Sequence, residues 1–289
     1  MDEITILSGK GGTGKTTLTA ALTSIAENAV FCDNDVDAAN LHLILQPEVK
    51  EEHTFDSGWV VSVNEEKCTG CGICQDYCRF NAIHYNEKEK IEINPFQCEG
   101  CRLCERVCPL QAITSIKNKN NYWYVSDTRF GPFVHAKMGP GEENSGKLVT
   151  QVRKKAAEIA RNINAKFIIN DGPPGIGCPV IASLANTNKV IMVIEPTLSG
   201  LHDAQRLVDL VRMFNIQIYA VINKYNINEK VTQNIEKYLK DNTISIIGKI
   251  PFHTDLVKAM IFKKTIVEYN PESEITKIIR SIWEKINNN

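Results

Sequence analysis

The chain of 289 residues has almost no net charge: 33 Lys and Arg face 34 Asp and Glu, leaving −1. A nucleic-acid grip built on bulk positive charge is therefore not expected. No apolar run approaches the ~20 residues that cross a bilayer, and MDEITILSGK carries no basic-then-apolar leader. Both absences lead to the expectation of a cytoplasmic protein with neither a membrane nor a nucleic acid as partner. Cysteine is scarce outside one stretch: of ten, only Cys32 and Cys178 lie outside 68–108. That distribution argues against a disulfide scaffold, in which cysteine runs throughout a short secreted chain, and for metal ligands. With 43% hydrophobic and 23% charged residues the chain is too apolar for disorder. Its length allows about one or two domains.

Short apolar runs at Ile4–Leu7, Val30–Cys32, Phe167–Ile169, Val190–Ile194, Ile218–Ile222 and Ile244–Ile247 read as buried strands. Helix-compatible stretches separate or follow them at Lys15–Glu27, Val149–Ile163, Leu201–Phe214, Val231–Leu239 and Leu256–Phe262. Strands alternating with helices predict an α/β fold with a mostly parallel sheet covered on both faces. From Gly58 this rhythm breaks. Lys67–Cys74 aligns with Gln97–Cys104 at an offset of 30 residues, and Ala82-Ile83 aligns with Ala112-Ile113. The expected organisation is a discontinuous α/β domain, 1–57 and 118–289, interrupted by a small α+β module at 58–117, which the motifs below make a P-loop ATPase domain and a ferredoxin-like insert. Residues 118–146 read as strands and loops that return to the main domain. The last residues carry an apolar stripe of Ile275, Ile278, Ile279, Ile282, Trp283 and Ile286, which predicts a helix packed on the sheet.

Gly9-Lys10-Gly11-Gly12-Thr13-Gly14-Lys15-Thr16 fits G-x-x-x-x-G-K-[ST] between a strand and a helix, the context this phosphate loop requires. Its glycines let backbone N–H groups curl around phosphate oxygens. Lys15 would reach the β- and γ-phosphates and Thr16 would hold Mg²⁺, with Thr17 completing the nucleotide-binding segment. Asp171, at the end of a strand, suits a water-mediated contact to the same Mg²⁺. Cys68-x₂-Cys71-x₂-Cys74-x₃-Cys78 and Cys98-x₂-Cys101-x₂-Cys104-x₃-Cys108 have the bacterial ferredoxin spacing, in which each fourth cysteine serves the other cluster. Two [4Fe–4S] clusters are expected, one on Cys68, Cys71, Cys74 and Cys108, the other on Cys98, Cys101, Cys104 and Cys78. Arg79 stands where proline usually follows such a run. Cys32 and Cys178 are expected to be buried structural thiols.

The second lysine of the loop, Lys10, the acidic segment Asp33-Asn34-Asp35-Val36-Asp37 with Asn40-Leu41, and Asp171-Gly172-Pro173-Pro174-Gly175 resemble the MinD/ParA class of P-loop ATPases, with a more distant likeness to the nitrogenase iron protein. Glu195–Asp203 and Asn144–Val149 also look like that class. With the two cysteine runs, the whole resembles MinD-superfamily ATPases that contain an inserted ferredoxin domain. The resemblance implies ATP and ADP as ligands and an ATP-dependent dimer of like or related chains. In it Lys10 would touch the partner's nucleotide. It further implies that Asp35, or alternatively Asp37, orients the attacking water, that Asp33 lies near the Mg²⁺, and that Asn223 reads adenine. Two functions are expected from it: ATP-gated electron transfer to a low-potential partner protein, or ATP-dependent maturation of an iron–sulfur or other metallocofactor.

Overall fold

The computed structural model describes residues 1–56, 58–139 and 145–288. Two compact units are present: Met1–His53, Trp123–Lys137 and Ser145–Asn289 form the first, and Thr54–Tyr122 with Met138 and Gly139 the second. Asn144, named above, lies outside the described residues.

Among the described residues thirteen strands run in chain order as β1 Asp2–Ser8, β2 Ala29–Asp33, β3 Glu48–Phe55, β4 Trp59–Val63, β5 Ile83–Tyr85, β6 Ile91–Ile93, β7 Ile113–Lys117, β8 Asn121–Thr128, β9 Gly131–Lys137, β10 Phe167–Pro174, β11 Lys189–Ile194, β12 Gln217–Asn223 and β13 Ser245–Ile250. Nine of them form one sheet in the order β13-β12-β11-β1-β10-β2-β9-β8-β3. From β13 to β9 every adjacent pair is parallel. The sheet therefore matches the mostly parallel α/β expectation, and it also recruits β3, whose charged residues gave no strand signal. β1 lies between β10 and β11, yet the chain leaves it toward β2 on one side and returns through β10 to β11 on the other. Such a reversal opens a crevice at the carboxyl ends of the central strands.

Alternation along β1 assigns its two faces. Ile4 and Ile6 enter one apolar layer with Phe31, Ile169 and Val193. Leu7 enters the other with Val190, Met192 and Leu207. The helix Glu274–Asn287 sends Ile275, Ile279, Ile282, Trp283 and Ile286 into the first layer, with Trp283 edge-on to Phe167 at 5.0 Å. The apolar stripe is thus spent on core packing. Among the described residues no helix is long and apolar enough to cross a membrane.

Away from the crevice, two polar clusters are buried among the described residues of this unit. The Glu3 carboxylate accepts from Arg153 Nε at 3.0 Å and Asn170 Nδ2 at 2.8 Å. Arg153 also caps carbonyls of Ala182 and Ala185, so one buried pair ties β1 and β10 to the helices Ser145–Asn162 and Cys178–Leu184. In the second cluster the His135 ring stacks on Phe133 at 4.6 Å, Tyr124 at 5.0 Å and His42 at 6.0 Å. Burial, reinforced by His42, pulls the His135 pKa down to about 4.

An unfolded chain would protonate that imidazole near 6.5, so as pH falls the unfolded state takes the proton first. Stability from this group is complete above about pH 6.5 and is lost as pH falls toward 4, by at most about 3 kcal/mol. His135→Phe keeps the ring stack and removes the titration. Urea midpoints measured from pH 7 to 4.5 are expected to fall less steeply for this variant than for the wild type, and parallel profiles would exclude His135 as the source.

Candidate nucleotide site and cysteine module

The loop after β1 is shaped by two left-handed glycines, Gly12 (φ 76°) and Gly14 (φ 90°). A Cβ on Gly14 would strike the Asn223 side-chain amide, so that position excludes side chains by both conformation and space. The helix Lys15–Thr23 begins without a side-chain cap, which leaves its first N–H groups for a ligand in the crevice. A cleft of about 760 Å³ opens there, within the range of small-molecule sites. Gly11 to Thr17, Asp35 and Asn223 line it, and Phe252, Val257 and Met260 form its apolar wall. Gly9 lies beneath the loop, where a Cβ would come within 2.6 Å of Asp203; its lack of a side chain serves packing against the helix Leu198–Arg212.

Lys15 is only 6% exposed. Its Nζ lies 3.2 Å from Asp171 Oδ1 and 3.6 Å from Asp35 Oδ2. Burial alone would lower its pKa, but Asp171, Asp35 and Asp33 outweigh burial and hold it above the ordinary lysine value. Asp171 also accepts from Thr16 Oγ1 at 2.6 Å and from Thr19 Oγ1 at 2.8 Å. Fully buried Asp33 accepts from the N–H groups of Asp35 and Leu41 at 3.1 and 3.2 Å. Burial, then the neighbouring Asp171, pushes its pKa up to about 8 against the pull of Lys15. Burial likewise raises Asp35, again opposed by Lys15. Asp37 is exposed and does not line the cleft. Thr16, Asp171 and the Asp33–Asp35 segment thus gather oxygen donors beside Lys15, a set whose chemistry suits a hard cation such as Mg²⁺.

Lys10 is held within its own chain: Nζ donates to Thr197 Oγ1 at 2.8 Å and pairs with Glu195 Oε2 at 3.2 Å. The other Glu195 oxygen pairs with Lys224 at 2.8 Å, and Lys224 donates to the Gly12 carbonyl at 3.1 Å. Asn223 donates to the Thr13 carbonyl at 2.7 Å, which makes it a strut of the loop. Thr19 and the Glu195–Lys224 pair had not been singled out from sequence. The spacing of Thr19, one turn after Lys15, was the available signal for the first. The second joins strand ends far apart in sequence.

In the other unit, Cys78, Cys98, Cys101 and Cys104 line one pocket, and Cys68 and Cys74 are buried in its apolar cluster beside Cys104 and Cys108. Burial, with Cys98, Cys101 and Cys74 close by, pushes Cys104 up to about 11. Burial raises Cys74 also, with Cys108 and Cys71 adding to the effect. Gly70, Gly72, Gly100 and Arg102 all have φ between 60° and 77°. Left-handed residues alternating with the cysteines curl successive N–H groups into anion-binding nests of the kind that holds Fe–S clusters. Among the described residues no three His, Cys, Asp or Glu side chains converge as ligands of a single ion. Cys32 is buried and donates to Asn34 Oδ1 at 3.0 Å. Cys178 departs from the expectation of a buried thiol: it opens the helix Cys178–Leu184 at the surface and is exposed.

Glycine loop, buried lysine, hydroxyl and paired aspartates at the switch point of a parallel sheet define a P-loop nucleotide-binding protein. The model of the CobQ/CobB/MinD/ParA nucleotide-binding domain matches residues 4–266; the chain belongs to this family and is an ATPase. It is 32% identical over 289 residues to the uncharacterized protein MJ0578 of Methanocaldococcus jannaschii, covering 98% of this chain and 96% of that one. It is 21% identical to the septum site-determining protein MinD of Bacillus subtilis, over 99% of this chain and 88% of the relative. Its fold is similar to MinD of Pyrococcus horikoshii, solved with Mg-ADP, at a TM-score of 0.60 and 18% identity over 99% of this chain and 96% of that one.

Lys15→Ala removes the buried cation on which the aspartates converge. ATP hydrolysis is expected to fall roughly 100-fold or more, the scale of losing one preorganised charge-stabilising group. Hydrolysis within a few-fold of wild type would remove Lys15 from the site.

Proposed function

We propose that the chain is an ATP-switched iron–sulfur protein that passes electrons through two [4Fe–4S] clusters to a low-potential acceptor protein. The observation that carries this reading is the common pocket of Cys78 with Cys98, Cys101 and Cys104. A cysteine of the first run shares a pocket with three of the second, which supports the exchange of ligands that distinguishes a two-cluster ferredoxin from two separate sites. Clusters held on these thiolates would supply one-electron chemistry, at potentials that can reach roughly −700 mV.

In the nucleotide cleft the loop N–H groups and Lys15 bind the β- and γ-phosphates, Thr16 with Asp33 and Asp171 holds Mg²⁺, and Asp35 orients the attacking water. Asp171 is bonded both to Lys15 and to Thr16 and opens the run Asp171–Gly175. Loss of the γ-phosphate therefore acts directly on the segment that runs to Gly175, whose N–H donates to the Ser8 carbonyl beside the phosphate loop at 2.9 Å. Asn223 supports the loop and stands at its adenine side. The protein works as a dimer of like or related chains, in which Lys10 leaves Glu195 and Thr197 to reach the partner's nucleotide.

Two measurements test this reading. Iron analysis of the anaerobic wild type is expected to give about eight atoms per chain, and Cys101→Ser about four; equal iron in both would refute the ligand assignment. Lys10→Ala is expected to lower ATP turnover at least about tenfold while nucleotide affinity of the isolated chain changes less than about threefold, each tenfold step being 1.4 kcal/mol. Matching losses would show that Lys10 acts within its own chain.

A further inference from the structure

The internal repeat makes each half of the cysteine module a control for the other. Where the halves agree, they build the same scaffold. A Cβ on Gly70 would meet the Glu89 carbonyl, and a Cβ on Gly100 would meet the Trp59 carbonyl at 2.5 Å; the offset of 30 relates Trp59 to Glu89 as it relates Gly70 to Gly100. Where they differ, the difference is one of charge. The residue after Glu89 is Lys90, and the residue after Trp59 is Val60.

Lys90 is half-buried, and its Nζ donates to the Cys68 carbonyl at 2.5 Å. No carboxylate lies within ion-pair distance of it among the described residues, whereas neighbouring Lys88 pairs with Glu65 at 3.6 Å. The second half has a cation too, Arg102 at the position of Gly72, with its guanidinium 4.0 Å above the Trp59 ring. That charge is neutralised: Arg102 Nε donates to Glu105 at 2.8 Å, and Glu105 is held by Ser115 Oγ at 2.6 Å. Lys67 and Arg79, which adjoin Cys68 and Cys78, are exposed and screened by water and salt. So is Arg106, between Cys104 and Cys108. Among the described residues one uncompensated, partly desolvated positive charge therefore faces a cysteine of the first run, and none faces the second.

Positive charge near an Fe–S cluster favours the reduced form, which carries one more electron, and raises its potential. We propose that Lys90 sets the cluster on Cys68, Cys71, Cys74 and Cys108 at a higher reduction potential than the cluster on Cys78, Cys98, Cys101 and Cys104. The first electron taken up by the protein then rests on the Cys68 side. This inference rests on the iron–sulfur reading above.

The test is an anaerobic dithionite titration followed by electron paramagnetic resonance, each cluster taking one electron from the titrant, with iron measured on the same samples. Wild type is expected to reduce in two separate steps. Lys90→Gln is expected to lower the first step by about tenfold in its equilibrium constant, about 59 mV for one electron, and to leave the second in place. Lys90→Arg should restore the wild-type steps. Val60→Lys, which places a cation at the equivalent position, should raise the lower step toward the other. Iron-loaded protein whose steps move with neither Lys90→Gln nor Val60→Lys would overturn the role of Lys90 while leaving the clusters intact. Wild-type protein without iron would overturn the iron–sulfur reading itself. If Lys90→Gln fails to hold iron, Val60→Lys alone decides.

Discussion

A fully buried carboxylate needs hydrogen-bond and charge partners, and Asp171, midway along β10, has three: the Lys15 ammonium and the hydroxyls of Thr16 and Thr19. Removing any of them would leave charge in a site with little water to solvate it. The knot therefore locks the phosphate loop, the helix behind it and the switch segment into one register. Asp33 and Asp35 crowd the same lysine, and burial keeps both harder to ionise than free aspartates. A divalent cation and a triphosphate would rearrange all these charges together, which is how a change of nucleotide can become a change of backbone.

The cysteine module follows a different logic. Its core is small, built on Ile83, Ile91 and Ile113 with the cysteines themselves, and its loops are held in left-handed turns that place N–H groups around the thiols. Arg102 adopts that conformation at φ 64° without being glycine, at a cost of about 1–2 kcal/mol. Its stacking on Trp59 and its pair with Glu105 offset that cost. The repeat thus preserves the turns and varies the charges around them.

Much of the fold was legible in the residues. The runs at Ile4, Val30, Phe167 and Val190 became parallel strands because both faces of each are covered, and such strands read as continuous apolar segments. β3 was not legible: Glu48, Lys50, Glu51 and Glu52 suit a solvated edge strand, and pairing with β8, not hydrophobicity, makes it a strand. Cys178 is exposed, against the expectation of a buried thiol, because a thiol's burial depends on which side of a helix start meets the sheet. A side chain at Gly9 would meet Asp203, a packing constraint that the loop motif does not show.

Local chemistry is written in short spacings, so the chain alone determined the phosphate loop, the paired cysteine runs and the alternation of strand and helix. Those patterns follow from backbone conformation and ligand geometry within a few residues. Tertiary structure decided which charges meet: Asp171 with Lys15, Glu195 with Lys10 and Lys224, Lys90 with the Cys68 carbonyl. Electrostatic pairing depends on distance in space and on exclusion of water, and neither is encoded in separation along the chain.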